Sequence, residues 1–510
     1  MRALFQNFKQ DLPASIVVFF VAVPLCLGIA LASGAPLFAG IIAGIVGGIV
    51  VGGASGSPLG VSGPAAGLAV IVLGAIATLG GSWEGFLVAV VLAGVLQLAM
   101  GFAGLGWIAY YFPSSVIKGM LTGIGLLIII KQLPVALGIS GGFDLESGGG
   151  PALSLLDHML QRLTPGALLI TALSLTLLVA WERWLAPTMK IFRLVPGPLA
   201  AVAMGIILGA LMTSGVIPYP LAANQLVSLP VAGSVNEFFG QFATPDFSFL
   251  MRADVYVIAV VLAIIASIET LLCVEATDRL DPLKRITPTN RELKAQGLGN
   301  IVSGLIGGLP VTQVIVRSSA NIAFGGRTKL SAMMHGVLLL LCVITIPALL
   351  NMIPLATLAS ILLVVGYKLA KPALFKQMYQ HGWEQFAPFT ATVVGIVATD
   401  LLRGIGIGLG VAVVIILRHN LRNPFSVADH AANSMDYRLQ LAEEVSFLNK
   451  GQILTKLQSI PNDARVVIDG TRSKVIDFDV LEILREFRAS ASSRNIAVDV
   501  HGAILNPNLP

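Results

Sequence analysis

The chain has 510 residues, of which 55% are hydrophobic and only 12% charged, with a formal net charge of +5. A soluble globular chain carries about 25% charged residues. At a mean hydropathy of +0.86, the composition excludes a soluble globular domain and leaves a polytopic membrane protein. The modest positive charge calls for no nucleic-acid partner, because basic residues of membrane proteins gather in cytoplasmic loops.

The polar stretch 1–11 leads into an apolar run from residue 15 that continues past Gly56, broken only at Gly34, Ala35 and Pro36. A secretory signal has a short apolar region and a small-residue cleavage site, so residue 15 is read as the start of a true span. Apolar runs long enough to span then recur to about residue 417. The predicted spans are 15–33, 37–55, 62–79, 84–102, 116–138, 166–185, 197–215, 252–277, 296–308, 311–323, 330–350, 354–370, 386–400 and 402–417. Cys26, Cys273 and Cys342 all fall inside them at no metal-ligand spacing and read as small buried hydrophobes.

Lys and Arg set the orientation. Loop 278–295 carries Arg279, Lys284, Arg285, Arg291 and Lys294; loop 368–385 carries Lys368, Lys371 and Lys376; segment 183–193 carries Arg183, Lys190 and Arg193. Segment 217–249 has none, and 141–164 has only Arg162. The positive-inside rule puts the first group in the cytoplasm, and an even number of spans puts both termini there.

Two segments interrupt the spans: Ser57 to Gly67 and Gly307 to Ser319. Each has Gly before Pro, and each reads as a helix start at membrane depth, since Pro suits the first helical turn. Broken backbone in the bilayer is tolerated where it lines a cavity or is buried in protein, and paired interruptions in two halves point to a transport site. The spacing agrees: Pro24 precedes Pro64 by 40 positions, and Glu269 precedes Pro310 by 41. Two such helix starts would aim unpaired N–H groups and positive dipole ends at one anion. Ser62, Thr312 and Gln313 could add donors.

Two charges stand inside spans. An ionised carboxylate at the centre of a span costs on the order of 3 kcal/mol, so Glu269 is expected to hold a proton, a Na⁺ or an ion-pair partner. Arg317 stays charged at physiological pH. It is placed roughly two turns into the second half-helix, to complete the anion site or to balance Glu269. Glu275, Lys131, Asp400 and Arg403 read as structural. No metal cluster, P-loop or hydrolase motif occurs, so the chain is not read as an enzyme.

After Arg418 the composition turns polar. Asp436–Glu444, Ala464–Asp469 and Asn495–Val500 read as strands, and Phe447–Leu457 and Asp479–Phe487 as helices, which makes a small α/β domain.

The stretch VPLCLGIALASGAPLFAGIIAGIVGG, the motif VSGPAAG, and NRELKAQGLGNIVSGLIGGLPVTQVIVRSSANIAFGGRTKLSAMMHG resemble the sulfate permease (SulP/SLC26) anion transporters. VVIDGTRSKVIDFDVLEIL resembles a short STAS domain. The resemblance implies an all-α polytopic membrane domain of about fourteen spans (residues 1–425). Its two inverted seven-helix repeats would lie at about 12–216 and 250–418 and form core and gate domains with an elevator-like motion. It implies a small cytoplasmic α/β STAS domain at 435–510, open to a regulatory partner, and a homodimer in the bilayer of a bacterial inner membrane. It places the anion among Ser62, Gly63, Pro64, Ala65, Pro310, Val311, Thr312, Gln313 and Arg317. Glu269 would be the position linked to H⁺ or Na⁺ coupling, with Cys273 where some members have a Na⁺-binding Thr. Leu25 stands where many relatives have a Gln after the proline. Asp469-Gly470-Thr471 could mimic a STAS phosphosite loop but reads as a plain turn. The wording PLCLGIALASGAP and ASIETLLCVEATDRLDP resembles the bacterial branch associated with carbonic anhydrases, which favours bicarbonate over sulfate. The alternatives are an anion channel or exchanger without cation coupling, a nucleobase carrier of the same fold, and a membrane-anchored interaction protein.

Overall fold

In a computed structural model, the structure describes residues 7–106, 113–139, 163–188, 195–231, 237, 240–399, 401–422, 425–429, 436–446 and 449–502. Lys190, Arg193, Arg162 and Asp400, and most of 141–164, lie outside the described residues.

Among the described residues the first half holds α1 (Phe8–Ala32), α2 (Leu37–Val46, continued by a π-helical turn to Ala54), α3 (Ala69–Thr78), α4 (Trp83–Phe102), α5 (Ser114–Ala136), α6 (Pro165–Ala180) and α7 (Gly197–Thr213). The second half repeats the order with α8 (Ala253–Leu280), α9 (Thr289–Leu305), α10 (Ile315–Ala323), α11 (Leu330–Thr345) and α12 (Leu355–Leu369). The short α13 (Pro372–Gln380) follows, and then α14 (Trp383–Ala398) and α15 (Leu401–Arg422). Seven described helices are long and apolar enough to cross a bilayer. Three shorter described helices are apolar as well, and each of the expected spans overlaps a described helix.

Helix α1 is apolar nearly all round and buries most of its length, as a central helix must, whereas the equally apolar α8 also leaves Tyr256, Val257, Val260 and Ile264 exposed. Helices α1–α4 pack with α8–α11, whereas α5, α6 and α7 pack with α12. Helices α4 and α9 approach at Gly94 and Gly297, where an added Cβ would stand 2.6 Å from the backbone N of Ile301 and of Leu98 respectively. Small residues at such crossings let helices meet backbone to backbone.

Strands β1 (Ser62–Pro64) and β2 (Val311–Gln313) pair antiparallel, with Ser62 opposite Gln313, Gly63 opposite Thr312 and Pro64 opposite Val311. This corrects the sequence expectation. Pro64 and Pro310 do not open the half-helices: a 3-10 turn at Ala66–Leu68 leads into α3, and α10 begins at Ile315. Two chains crossing at membrane depth must satisfy their polar backbone within the protein. Pairing with each other does this, and it needs extended rather than helical backbone.

The chain divides into two compact units, Met1–Gly382 with Phe389–Gly408 and Trp383–Pro388 with Leu409–Pro510. The C-terminal α/β region has one sheet of β3 (Phe425–Asp429), β4 (Asp436–Leu441), β6 (Arg465–Asp469) and β8 (Ala497–His501), in that order. β3 pairs antiparallel with β4, and the other neighbours are parallel. A second pair joins β5 (Glu444–Val445) and β7 (Val475–Ile476). Leu439, Val466 and Ile468 of the sheet pack with Ile453 and Leu457 of α16 (Lys450–Gln458) and Val480, Leu484 and Phe487 of α17 (Phe478–Ala491).

At the end of β6, Asp469 accepts bonds from the Thr471 hydroxyl (2.6 Å), the Thr471 N–H (3.0 Å) and Arg438 Nη2 (2.8 Å). The Thr471 hydroxyl foremost, and then Arg438, hold its carboxyl well below the usual carboxylate range. A depressed pKa contributes stability above the unfolded value, about 3.9, and that contribution is lost as pH falls through the folded one. Asp469→Asn is expected to weaken this domain by about 1–2 kcal/mol at pH 7, because charge-assisted bonds are lost while Arg438 is half exposed. Amide exchange of β4 and β6 in the full-length protein checks it. Exchange should be faster in the variant at pH 7, and the difference should shrink towards pH 3; equal exchange at pH 7 contradicts it.

Candidate functional site

Neither half-helix is capped by the residue that precedes it. The residues before the two helical starts, Ala65 and Val314, are extended, and neither makes a side-chain capping bond. The first-turn N–H groups of a helix have no carbonyl partner within it, and together they carry partial positive charge. The crossing of β1 and β2 brings the two starts beside one cavity of about 280 Å³, lined among others by Pro64, Ala66, Gly67, Glu269, Cys273 and Arg317. Helix α5 closes it with Met120, Leu121 and Ile124, and α12 with Val365 and Leu369. The charged residues of the lining, Glu269 and Arg317, thus come from α8 and α10, and the residues from α5 and α12 are apolar.

Arg317 is the third residue of α10, in its first turn rather than two turns in. This is a further correction, and it follows from the later helix start. Its side chain is 1% exposed. Nη2 donates to Cys26 Sγ at 3.3 Å, while Nε and Nη1 have no hydrogen-bond partner. A buried guanidinium with idle donors is costly unless something negative completes it. Glu269 does not: among the described residues no ion pair joins the two, and Glu269 Oε2 also lacks a partner. The sequence left open whether Arg317 balances Glu269 or faces the cavity, and the geometry leaves the guanidinium for the cavity.

Two glycines make room for these groups. A Cβ at Gly63 would overlap Arg317 Nη1 and lie 3.1 Å from Cζ. A Cβ at Gly67 would sit 2.7 Å from Glu269 Oε1 and 2.9 Å from Oε2. In both cases the obstructed atoms end a flexible side chain, so an alanine there displaces the charged group more readily than the backbone. Gly63→Ala and Gly67→Ala are expected to fold normally and to raise the anion concentration for half-maximal uptake by about tenfold, or about 1.4 kcal/mol. Uptake by the purified variants, alongside their thermal unfolding, checks this; parental uptake in both variants contradicts it.

The crossing is held from behind by one stripe of α9. Glu292, Gln296, Asn300 and Ser303 recur at helical spacing and are buried. Glu292 accepts from Ser55 Oγ (2.5 Å) and the Gly56 N–H (3.2 Å). Gln296 Nε2 donates to Ser62 Oγ (2.8 Å) and Glu292 Oε1 (3.1 Å). Asn300 accepts from the Val311 N–H (2.6 Å) and donates to its carbonyl (3.1 Å), and the Ser303 hydroxyl donates to the Leu309 carbonyl. Each strand is thus tied to α9 by amide side chains.

Of the residues singled out by sequence, Pro64, Glu269, Cys273 and Arg317 line the cavity, and Gly63 touches the guanidinium. Ser62, Ala65, Pro310, Val311, Thr312 and Gln313 lie outside its lining. Gln313 is tied through its N–H to Thr270 Oγ1 and through Nε2 to Thr277 Oγ1, while Thr312 Oγ1 is buried without a partner. Sequence reading missed three features here. The α9 stripe was visible in its spacing of four. Cys26 read as a plain hydrophobe. His335 is fully buried with its Nε2 unpartnered, and its signal is that of an ionisable residue inside the expected span 330–350.

Comparison with known proteins finds relatives over most of the chain. Bicarbonate transporter BicA of Picosynechococcus sp. is 28% identical over 459 residues, covering 88% of this chain and 77% of that protein. YvdB of Bacillus subtilis, provisionally named a sulfate transporter, is 28% identical over 414 residues, covering 81% and 74%. The solved transmembrane domain of a cyanobacterial BicA aligns with a TM-score of 0.64 at 26% identity, over 79% of this chain and 98% of that one. SLC26A9 shares the fold, with a TM-score of 0.78 over 97% of this chain and 84% of that one at 14% identity. Residues 8–392 match the sulfate permease family. The match over residues 8–392, most of the chain, makes the protein a member of the sulfate permease family.

Proposed function

We propose that the protein is a secondary active carrier of a small inorganic anion, bicarbonate or sulfate, moved by symport with H⁺ or Na⁺. The observation that carries this reading is Arg317: a buried guanidinium with Nε and Nη1 unpartnered, beside a cavity at which two uncapped helix starts converge. An oxyanion there takes charge-assisted bonds from the guanidinium and lies in the field of two helix N-termini.

Glu269 and Cys273 supply the coupling position in this reading. With Glu269 ionised, its charge and that of Arg317 cancel across the cavity. A proton or Na⁺ at Glu269 leaves net positive charge, and the anion then binds. The seat is built on α1, the turn before α3, α8 and α10, whereas the lining residues of α5 and α12 are apolar. A smooth apolar wall lets the loaded seat slide past it in an elevator-like step. The two relatives named for bicarbonate and sulfate transport support these two anions, and the sequence branch favours bicarbonate. We further read the chain as a homodimer of a bacterial inner membrane, with cytoplasmic termini and with the C-terminal α/β domain as a short STAS domain that can take a regulatory partner.

Uptake of labelled bicarbonate and sulfate into proteoliposomes, under imposed H⁺ or Na⁺ gradients, tests the reading. Uptake of either anion that accelerates with an inward cation gradient supports it. Uptake indifferent to both gradients favours an uncoupled exchanger or channel, and transport of uracil alone rejects the anion.

A further inference from the structure

A second cavity, of about 530 Å³, abuts the first: Leu25 of α1, Val316 of α10, and Val365 and Leu369 of α12 line both. Among the described residues its lining carries two charges, Glu182 and Lys368. Glu182 lies in the π-helical turn Trp181–Leu185 that prolongs α6, and Lys368 in the last turn of α12. Lys368 Nζ and Glu182 Oε2 are 2.8 Å apart, with the side chains 46% and 61% exposed. The rest is mainly apolar, with Val21, Leu178, Ile361, Val364 and Phe324 among the lining.

An exposed ion pair of this kind adds little to stability, about 0–1 kcal/mol. Its position is more informative. Lys368 stands three residues from Val365, on the same face of α12, and Val365 lines both cavities. An anion entering an apolar passage gives up water and meets no compensation until a cation faces it. A fixed cation at the mouth of a low-dielectric cleft raises the local anion concentration. A lysine ammonium is a compact charge on a flexible stem, able to leave a carboxylate for an incoming anion.

We propose that the second cavity is the cytoplasmic vestibule through which the anion passes between Arg317 and the cytoplasm, and that Lys368 forms an outer anion subsite there for which Glu182 competes. This rests on the reading of the inner cavity as an anion seat. The outer subsite takes the same small inorganic oxyanion, held by the ammonium. Glu182 is an internal competitor that keeps its residence short.

The test compares Lys368→Gln, Glu182→Gln, Lys368→Arg and Arg317→Gln in the full-length protein in oriented proteoliposomes, with labelled bicarbonate and labelled sulfate presented to the cytoplasmic face at several ionic strengths. Lys368→Gln is expected to raise the half-saturating concentration about fivefold, with a smaller effect on maximal rate, and to flatten its dependence on ionic strength. Glu182→Gln is expected to lower it two- to threefold, and Lys368→Arg to stay near the parent. A merely structural ion pair predicts that both single variants, which lose the same contact, move in the same direction. That outcome, or parental half-saturation in Lys368→Gln, overturns the outer subsite while Arg317→Gln still reports on the inner seat. If Arg317→Gln transports like the parent, the inner seat fails and the vestibule falls with it. Thermal unfolding of each variant separates these results from misfolding.

Discussion

Arg317→Gln is expected to lower uptake of the transported anion by 100-fold or more. The guanidinium is 1% exposed, and Nη2 bonds only a thiol, so its attraction for an anion is little screened. Truncating one partner of a buried charged hydrogen-bonded pair costs about 2–5 kcal/mol, and each 1.4 kcal/mol is about tenfold in affinity. Glutamine keeps a donor but loses the charge. The scaffold should survive, because the strands are tied by Gln296 and Asn300 of α9 and not by Arg317. Indeed the change removes two idle buried donors, so thermal stability should hold or rise when no anion is present. Initial uptake at several anion concentrations measures the first effect, and thermal unfolding with and without anion the second. Retained uptake, or marked unfolding of the variant, contradicts this account.

Glu269→Gln is expected to abolish acceleration by a cation gradient. The carboxylate stands against Gly67 at the start of the first half-helix segment, in the same cavity as Arg317 but not paired with it. A neutral glutamine of nearly the same shape leaves the positive charge of Arg317 uncompensated at every pH. The variant should therefore bind anion without a coupling ion, with affinity at least as tight as the loaded parent, yet lose at least tenfold in gradient-driven accumulation. The tenfold corresponds to about 1.4 kcal/mol, the driving energy of a single pH unit. Accumulation against a gradient by the variant would show that Glu269 is not the coupling group. Weakened anion binding would show that the carboxylate serves the anion site itself.

Much of this site is legible in the sequence, for physical reasons. Spans follow from apolar length, and the two Gly-Pro interruptions stand out because broken backbone is rare at membrane depth. Glu269 and Arg317 stand out because charge is expensive there. What sequence conceals is pairing between segments far apart in the chain. Ser62–Pro64 and Val311–Gln313 are too short to show a strand period, and each is a strand only because the other lies beside it. Pro at a helix's first turn is a sound local rule, but here the tertiary contact overrides it. Helix α9 was divided between a basic loop and a short span, because its buried face carries Glu292, Gln296 and Asn300 where a span is expected to be apolar. These side chains bond the crossing strands, so their polarity is a need of the site. Cys26 has no local signal, since its meaning comes from Arg317, a residue brought to it by the fold, whereas His335 carries one as an ionisable group inside an expected span.

Direct binding of labelled bicarbonate and labelled sulfate to the purified protein, with Arg317→Gln beside it and uracil as competitor, tests the central claim most directly. The account predicts saturable binding of at least one anion, unaffected by uracil and weakened 100-fold or more in the variant. Anion binding equal in parent and variant would show that the cavity beside Arg317 is not the seat.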